Sequence, residues 1–329
     1  ARGACMIEEI RRFGKEANLS GILARPAPGT QPKTPVTFIF ITAGLLHKPG
    51  PYRLYVELSR ALAAAGFHAL RFDLAGIGES APVVQPRGTM LPAIADVRDV
   101  MDALSDELGS RRFVLAGLCS GAEVAHLAAL ADERVAGIIA LDGYLAKTRK
   151  FYLWHYLPRI LSARKWMSFI AGIIGERIRH FAARRIPKPM EPDPPELAPL
   201  KFWERLEPGR DELAAQFRTL AGRGVLQLQV FSGGSGICSY QRQFNDAFSD
   251  VDFRGTSTVH FLRPADHMYI LRADRRRLTG LVTQWAKENF TARQPSAEYG
   301  ANRDPAPSSF PANLVMPAPR PAGIRRSCE

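Results

Sequence analysis

The residues best suited to chemistry stand together in the pentapeptide G-L-C-S-G at 117–121. An apolar run at 112–116 precedes it and a helix-like run at 122–130 follows it, so we predict a strand, a sharp turn and a helix. Glycine at both flanks suits a turn in which the strand and helix backbones pass too closely for a Cβ. This is the layout of a nucleophile elbow, whose middle residue is here Cys119. The helix N-terminus favours a thiolate, so Cys119 is the candidate nucleophile.

Two alternatives to this interpretation of the pentapeptide remain. A tight β–α turn could hold Cys119 as a buried structural thiol. Ser120 could be the nucleophile, but its side chain would be out of register with the elbow. His126 falls seven residues after Cys119 on the helix, and we expect it to be a packed helix residue.

A candidate oxyanion hole lies upstream of the elbow. The apolar strand 36–42 runs into the glycine-containing loop A-G-L-L-H at 43–47. Such a loop supplies one backbone N–H to an oxyanion, and the residue after the nucleophile supplies the other. We therefore assign Gly44 and Leu45 to this loop side of the hole, with the Leu45 N–H as the donor, and Ser120 to the elbow side.

The candidate general base is His267. It follows the late strand 257–262 through the short loop P-A-D-H at 264–267. A histidine in this position can take the proton of the thiol, and the chain order of nucleophile before histidine fits this type of site.

The third member of a triad is missing from its usual place. The loop after the strand that ends near Phe231 is S-G-G-S-G-I-C-S-Y at 232–240, which holds no carboxylate. Asp142, at the end of the preceding strand, is the best substitute. A cysteine–histidine pair also needs less help than serine–histidine, because its ion pair can form without a third residue. Both possibilities stay open at this point.

The stretch F-D-L-A-G-I-G-E-S at 72–80 resembles the D-x-x-G-x-G-x-S segment of serine aminopeptidase-like α/β-hydrolases. The resemblance runs from about Ile7 to Phe290 and is strongest to a bacterial group with a G-L-C-S-G elbow and an A-G-L-L-H loop. Dienelactone hydrolase is similar in using cysteine at the elbow. The resemblance implies an α/β-hydrolase fold, with a mostly parallel central sheet flanked by helices and an inserted helical cap. It does not fix a substrate.

The predicted organisation follows from alternating strands and helices. Residues 1–143 form the first part of the hydrolase core, beginning with a β-hairpin at 7–25, and residues 223–290 form the second part. The alternation stops at Asp142, so we predict a cap insertion at 144–222 and a disordered Pro-rich tail at 291–329. Helices are expected at 52–65, 94–108, 239–248 and 273–290.

The net charge of +12 is concentrated in one segment. Residues 143–188 hold eleven Lys or Arg and a single acid, Glu176. A solvated helix face, a site for an anionic substrate and peripheral contact with an anionic membrane are the three explanations that we consider. Nucleic-acid binding is not expected, because no recognition motif accompanies the charge.

The four cysteines, Cys5, Cys119, Cys238 and Cys328, show no pair spacing, which suits a reducing cytosol. No signal-peptide core and no membrane-span stretch is apparent, so a cytoplasmic location is expected. We expect no metal and no cofactor.

The predicted activity is hydrolysis of ester, thioester or lactone bonds in a small acyl substrate, through an acyl-Cys119 intermediate. Two rival functions remain. The same intermediate could pass its acyl group to an alcohol or amine, as in an acyltransferase. The fold could also serve as a non-catalytic binding protein.

Overall fold

A central β-sheet organises the chain in the computed structural model, which describes residues 6–14, 17–27, 36–82, 90–160 and 208–291, the last six residues before 161 by backbone only. Within these ranges the sheet has eight strands in the order β1-β2-β4-β3-β5-β6-β7-β8. The first two pairings, β1 with β2 and β2 with β4, are antiparallel and the others are parallel. The strands are β1 (Ile7–Phe13), β2 (Leu19–Arg25), β3 (Val36–Ile41), β4 (His68–Phe72), β5 (Arg112–Leu118), β6 (Val135–Leu141), β7 (Leu226–Ser232) and β8 (Ser257–Leu262).

Helices connect the parallel strands and cover the sheet. Two of them begin three or four residues away from the predicted first residue. The helix before β5 begins at Leu91, where Pro92 is tolerated in the first turn. The helix before β8 begins only at Gln243, whose side-chain Oε1 accepts the Ser239 N–H at 2.8 Å. The helices are α1 (Leu54–Ala64), α2 (Leu91–Leu108), α3 (Ser120–Ala131), α4 (Arg149–Ile160), α5 (Arg210–Gly222), α6 (Gln243–Ala247) and α7 (Arg272–Phe290).

The core lies on both faces of the sheet. All seven residues of β6 are buried, as expected for a central parallel strand with helices on either side. On one face α1 and α7 pack over β3, β5 and β6. This arrangement confirms the predicted α/β-hydrolase fold, and it brings the ends of β3, β5, β6, β7 and β8 to one edge of the sheet.

The predicted end of the cap insertion differs from the position that the structure indicates. We expected the insertion to reach residue 222, but α5 buries Leu213 and Phe217 in one cluster with Phe231 of β7 and Phe244 of α6. A parallel connection from β6 to β7 needs a helix against the sheet, and α5 is that helix. Residues 161–207 of the predicted cap lie outside the described residues.

Two further sequence expectations concern the chain ends and membranes. The described residues from 6 to 291 form one unit by their contacts, and the predicted tail after residue 291 lies outside the described residues. In the described ranges, every helix is too short or too polar to cross a bilayer.

Candidate active site

The elbow is a strained turn between β5 and α3. Cys119 has φ 53° and ψ −121°, a conformation that side chains other than glycine adopt at a cost. A Cβ on Gly117 would lie 2.2 Å from the carbonyl carbon of Gly121, and one on Gly121 would lie 2.6 Å from the Ile41 oxygen. Glycine is therefore required on both sides of Cys119, as the sequence predicted. The Cys119 N–H extends the sheet by donating to the Leu141 oxygen at 2.8 Å.

The strained turn leaves the Cys119 side chain half-buried at the first turn of α3. The first amides of the helix converge on this residue, since the N–H groups of Ala122 and Glu123 both donate to its carbonyl oxygen. A thiolate at this helix end is stabilised by the helix dipole.

His267 follows β8 and faces the thiol. Its Nδ1 lies 2.8 Å from Oδ2 of Asp142, and its ring also hydrogen-bonds to the Cys119 side chain. Since Nδ1 is engaged with the carboxylate, Nε2 is the nitrogen directed at sulfur. These two hydrogen bonds, the one from Asp142 first, raise the pKa of His267 to about 10, against the opposing effect of burial. The imidazole therefore carries a proton at neutral pH.

Asp142 stands directly after β6 and is fully buried. Besides His267, its carboxylate accepts the Ser232 N–H at 2.7 Å and the Ser232 Oγ–H at 2.6 Å. Its backbone has φ 49°, and its own N–H donates to the Val230 oxygen at 2.9 Å. The sequence left open whether Asp142 or no residue accompanies the cysteine–histidine pair. In the structure the Asp142 carboxylate lies beside His267.

The glycines after β7 allow the histidine loop to lie against the acid. A Cβ on Gly233 would lie 2.1 Å from the Arg263 oxygen, and one on Gly234 would lie 2.7 Å from Cα of Asp266. Sequence reasoning missed Ser232 as the partner that fixes Asp142. The sequence signal for this partner is Ser232 followed by two glycines, at the end of β7, at the place where the carboxylate of a triad is usual.

The oxyanion loop after β3 needs a correction at one residue. The Gly44 N–H donates to Oγ of Ser120 at 3.0 Å, so Gly44 fastens the loop to the elbow and is not free to bind an oxyanion. The N–H groups of Leu45 and Ser120 have no hydrogen-bond acceptor within the described ranges. Neither of these two N–H groups is therefore committed to a protein acceptor in that part of the chain.

The remaining candidates have structural partners. His126 is buried between the rings of Tyr144 and Phe217, and its Nε2 lies 2.9 Å from Oε1 of Gln216. Burial lowers the pKa of His126 to about 4. His126 is therefore a packed helix residue, as we expected. Oγ of Ser120, the other candidate nucleophile, accepts the Gly44 N–H.

A cavity of about 530 Å³ is lined in part by residues 143–147, which follow Asp142, and its volume lies within the range of small-molecule pockets. It opens between the first turn of α3, the loop after Asp142 and α5. Leu145, Leu213 and Ile237 give it apolar walls. Its charged lining residues are Lys147, Arg210 and Glu123. No group of His, Cys, Asp and Glu in the described part of the chain has the arrangement of a metal site.

Selective labelling is expected at Cys119. Cys238 is buried, burial raises the pKa of its thiol to about 12, and its Sγ donates to the Tyr240 oxygen at 3.4 Å. Limited iodoacetamide treatment of the folded protein, followed by peptide mapping, should therefore modify Cys119 before Cys238, because the thiolate is the reactive form. Faster labelling of Cys238 would contradict this assignment.

The strand order, the elbow after β5 and the histidine after β8 define the α/β-hydrolase class. In agreement, a model of the alpha/beta hydrolase family matches residues 39–321, and the chain belongs to this family. No curated protein sequence gives a significant match.

Solved structures with similar folds share little sequence with this chain. They include an esterase from Pyrococcus furiosus, with 14% identity over 87% of this chain and 92% of that one and a TM-score of 0.53. A dienelactone hydrolase from Anabaena variabilis has 12% identity over 86% and 98%, with a TM-score of 0.52. A serine hydrolase without a lid from Xanthomonas campestris has 14% identity over 88% and 97%, with a TM-score of 0.51. At these identities the likeness concerns the fold alone. The narrower resemblance, to hydrolases with a cysteine elbow, stays a prediction.

Proposed function

We propose that this protein hydrolyses ester, thioester or lactone bonds through an acyl intermediate on Cys119. The observation that carries the proposal is the continuous set of contacts from Cys119 through His267 to Asp142. A nucleophile, a base and a group that orients the base are the parts that covalent acyl transfer requires. The names of the similar folds, esterase and dienelactone hydrolase, agree with this chemistry.

The first half of the reaction acylates Cys119. With the pKa of His267 at about 10, the resting pair at neutral pH is a thiolate beside an imidazolium. The thiolate sulfur attacks the carbonyl carbon, and the π electrons move to oxygen. The N–H groups of Leu45 and Ser120 stabilise this oxyanion. When the carbonyl re-forms, the bond to the leaving group breaks, and Nε2 of His267 gives that group its proton.

The second half releases the acid. His267 is now neutral and takes a proton from water as the water oxygen attacks the thioester carbon. The second oxyanion collapses, the carbon–sulfur bond breaks, and Cys119 leaves as the thiolate. The carboxylic acid departs, and the imidazolium beside the thiolate is restored. Asp142 holds the ring throughout and stabilises its charged form.

The substrate class follows from the thiolate and from the charge of the chain. A thiolate favours activated esters, thioesters and lactones over amides, because it is expelled more readily than an amine from the tetrahedral intermediate. The excess of Lys and Arg after residue 143 suits an anionic substrate. A small acyl compound with a negative charge is therefore the proposed partner.

A panel of substrates tests this proposal. We expect release of acid from nitrophenyl esters, an acyl-coenzyme A and a simple lactone, and faster turnover of the acyl-coenzyme A than of a neutral thioester with the same acyl group. That preference should weaken as salt rises, since charges more than about 10 Å apart are screened at 0.1 M. Product that appears only when an alcohol or amine is added would indicate an acyltransferase. Turnover by the wild type no faster than the reaction without protein would indicate a non-catalytic protein.

Replacing Asp142 with asparagine should lower kcat by about 10–100-fold, less than loss of His267, because the thiolate–imidazolium pair keeps its own attraction. The Asp142 hydrogen bond is the largest cause of the raised pKa of His267. Without it, the imidazolium should lose its proton at lower pH. The fall of kcat at alkaline pH should therefore begin at a lower pH in Asp142→Asn than in the wild type.

A pH profile of kcat for both proteins, with an alkyl ester whose leaving group needs a proton, measures this shift. Asp246→Asn is the control, because Asp246 is bonded to Lys150 and Tyr240 away from the site. An unchanged alkaline limb in Asp142→Asn would show that Asp142 does not set the protonation of His267.

A further inference from the structure

The segment 73–80, which the sequence singled out, takes no part in the proposed chemistry, yet it builds a buried anchor. Asp73 follows β4 and is fully buried. Its Oδ1 accepts the backbone N–H of Lys48 at 2.5 Å, and its Oδ2 accepts Nζ of Lys48 at 2.8 Å and the Glu79 N–H at 3.1 Å. Lys48 is itself only 6% exposed. One carboxylate thus holds both the backbone and the side chain of Lys48.

The other residues of this motif complete the anchor. Gly78 has φ +55°, and a Cβ there would lie 2.5 Å from the carboxylate of Asp73. Oγ of Ser80 donates to the Asp73 carbonyl oxygen at 2.6 Å and accepts the Ser20 N–H at 2.8 Å. The second glycine of the motif therefore leaves room for the Asp73 carboxylate, and the serine ties the backbone of Asp73 to β2.

The anchor holds one end of the oxyanion loop. The loop from Ala43 to Lys48 is fastened at its start, where the Gly44 N–H meets Oγ of Ser120, and at its end, where Lys48 meets Asp73. A turn closed by the Leu46 N–H and the Ala43 oxygen at 2.9 Å lies between these two points. Leu45 sits inside the turn, so the direction of its N–H depends on both attachments.

We propose that Asp73 is a positioning residue for the oxyanion hole: through Lys48, and together with Oγ of Ser120, it keeps the Leu45 N–H aimed at the substrate oxygen. This inference rests on the proposed function. An N–H donor stabilises the oxyanion only if it is held in place before charge develops. A loosened loop should slow attack on a carbonyl while it leaves the reactivity of the thiolate itself intact.

Asp73→Asn separates these two effects. The asparagine keeps the size of the side chain but loses the buried one of the two carboxylate charges beside Lys48, the other being that of Glu79. We expect acylation of Cys119 by a nitrophenyl ester, followed as a pre-steady-state burst, to slow by about 10–100-fold, a fraction of the loss seen when a donor is removed outright. Alkylation of Cys119 by iodoacetamide forms no oxyanion, so its rate should stay within about twofold of the wild type. Amide hydrogen exchange across residues 43–50 should become faster.

Asp132→Asn is the matched control, since Asp132 also accepts a backbone N–H and a cationic side chain, both from Arg134, but lies at the far end of α3. Equal loss in the control, an unchanged acylation rate in Asp73→Asn, or equal slowing of acylation and alkylation would each overturn the proposal. If Asp73→Asn does not fold, Lys48→Met decides, because it removes the ammonium group that Asp73 holds. It should slow acylation alone, and unchanged acylation would overturn the proposal.

Failure of the proposed function gives a different result. It would appear as a wild-type protein that the ester does not acylate at Cys119. In that case the exchange measurement on Asp73→Asn still tests the attachment of the loop, and unchanged exchange across residues 43–50 would contradict it.

Discussion

Replacing Cys119 with alanine is expected to lower kcat for ester hydrolysis by about 10⁴-fold or more, because no acyl intermediate can form. The substitution removes a side chain that is half-buried at the end of β5, and the strained backbone of the elbow tolerates alanine no worse than cysteine. Circular dichroism and thermal unfolding should therefore be close to those of the wild type. The residual rate would come from the oxyanion hole and from substrate binding.

Cys238→Ala is the matched control for this experiment. Cys238 is the other thiol in the described part of the chain, and it is buried in the cluster around Phe244. Its loss should cost some stability and leave kcat within a few-fold of the wild type. A Cys119→Ala protein that is folded and hydrolyses esters at the wild-type rate would show that the nucleophile lies elsewhere.

Replacing His267 with alanine is expected to lower kcat by about 10²–10⁴-fold, the range that a positioned acid–base group contributes. Two steps fail together, because the leaving group loses its proton donor and water loses its base. The thiolate also loses the imidazolium beside it, so iodoacetamide should react more slowly with Cys119 at neutral pH. This second effect separates loss of His267 from a loss of substrate binding.

His260→Ala is the control for His267→Ala. It lies on β8, the strand that leads to the His267 loop, and it is half-buried. Kinetics with a nitrophenyl ester and labelling with iodoacetamide, measured on both variants at neutral pH, test the assignment. Labelling of Cys119 at the wild-type rate in His267→Ala would mean that the imidazole does not stabilise the thiolate.

The parts of the site that depend on local sequence were predictable. The elbow, with Gly117 and Gly121 around Cys119, can be recognised from the sequence because strand, turn and helix follow one another without a gap. The loop at Leu45 and the histidine at 267 could be placed because each directly follows an apolar strand. Parallel strands bring their carboxyl ends to one edge, so these separate loops meet.

Identifying Asp142 as the acid of the candidate triad requires knowing which strands are neighbours in the sheet. Asp142 follows β6. Its carboxylate is hydrogen-bonded both to Ser232 at the end of β7 and to His267. The order of the strands implies that these ends are adjacent. The φ of 49° at Asp142 has no sequence signal, since residues other than glycine adopt a positive φ in only a few per cent of cases.

The cap boundary could not be predicted for a related reason. The helical spacing of apolar residues in α5 shows that one face is buried but not what covers it. Leu213 and Phe217 are as suitable for a lid as for the core. Their place in one buried cluster with Phe231 of the sheet depends on the parallel crossover to β7, which spacing alone does not specify.

Intact-mass analysis of the protein quenched during turnover of a slow ester tests the central claim most directly. The account predicts a mass increase of one acyl group in the wild type, located on Cys119 by fragmentation and absent from Cys119→Ala. His267→Ala should keep any acyl group longer, since water then lacks its base. An acyl group on Ser120, or turnover without any acyl adduct while Cys119→Ala remains as active as the wild type, would contradict the account.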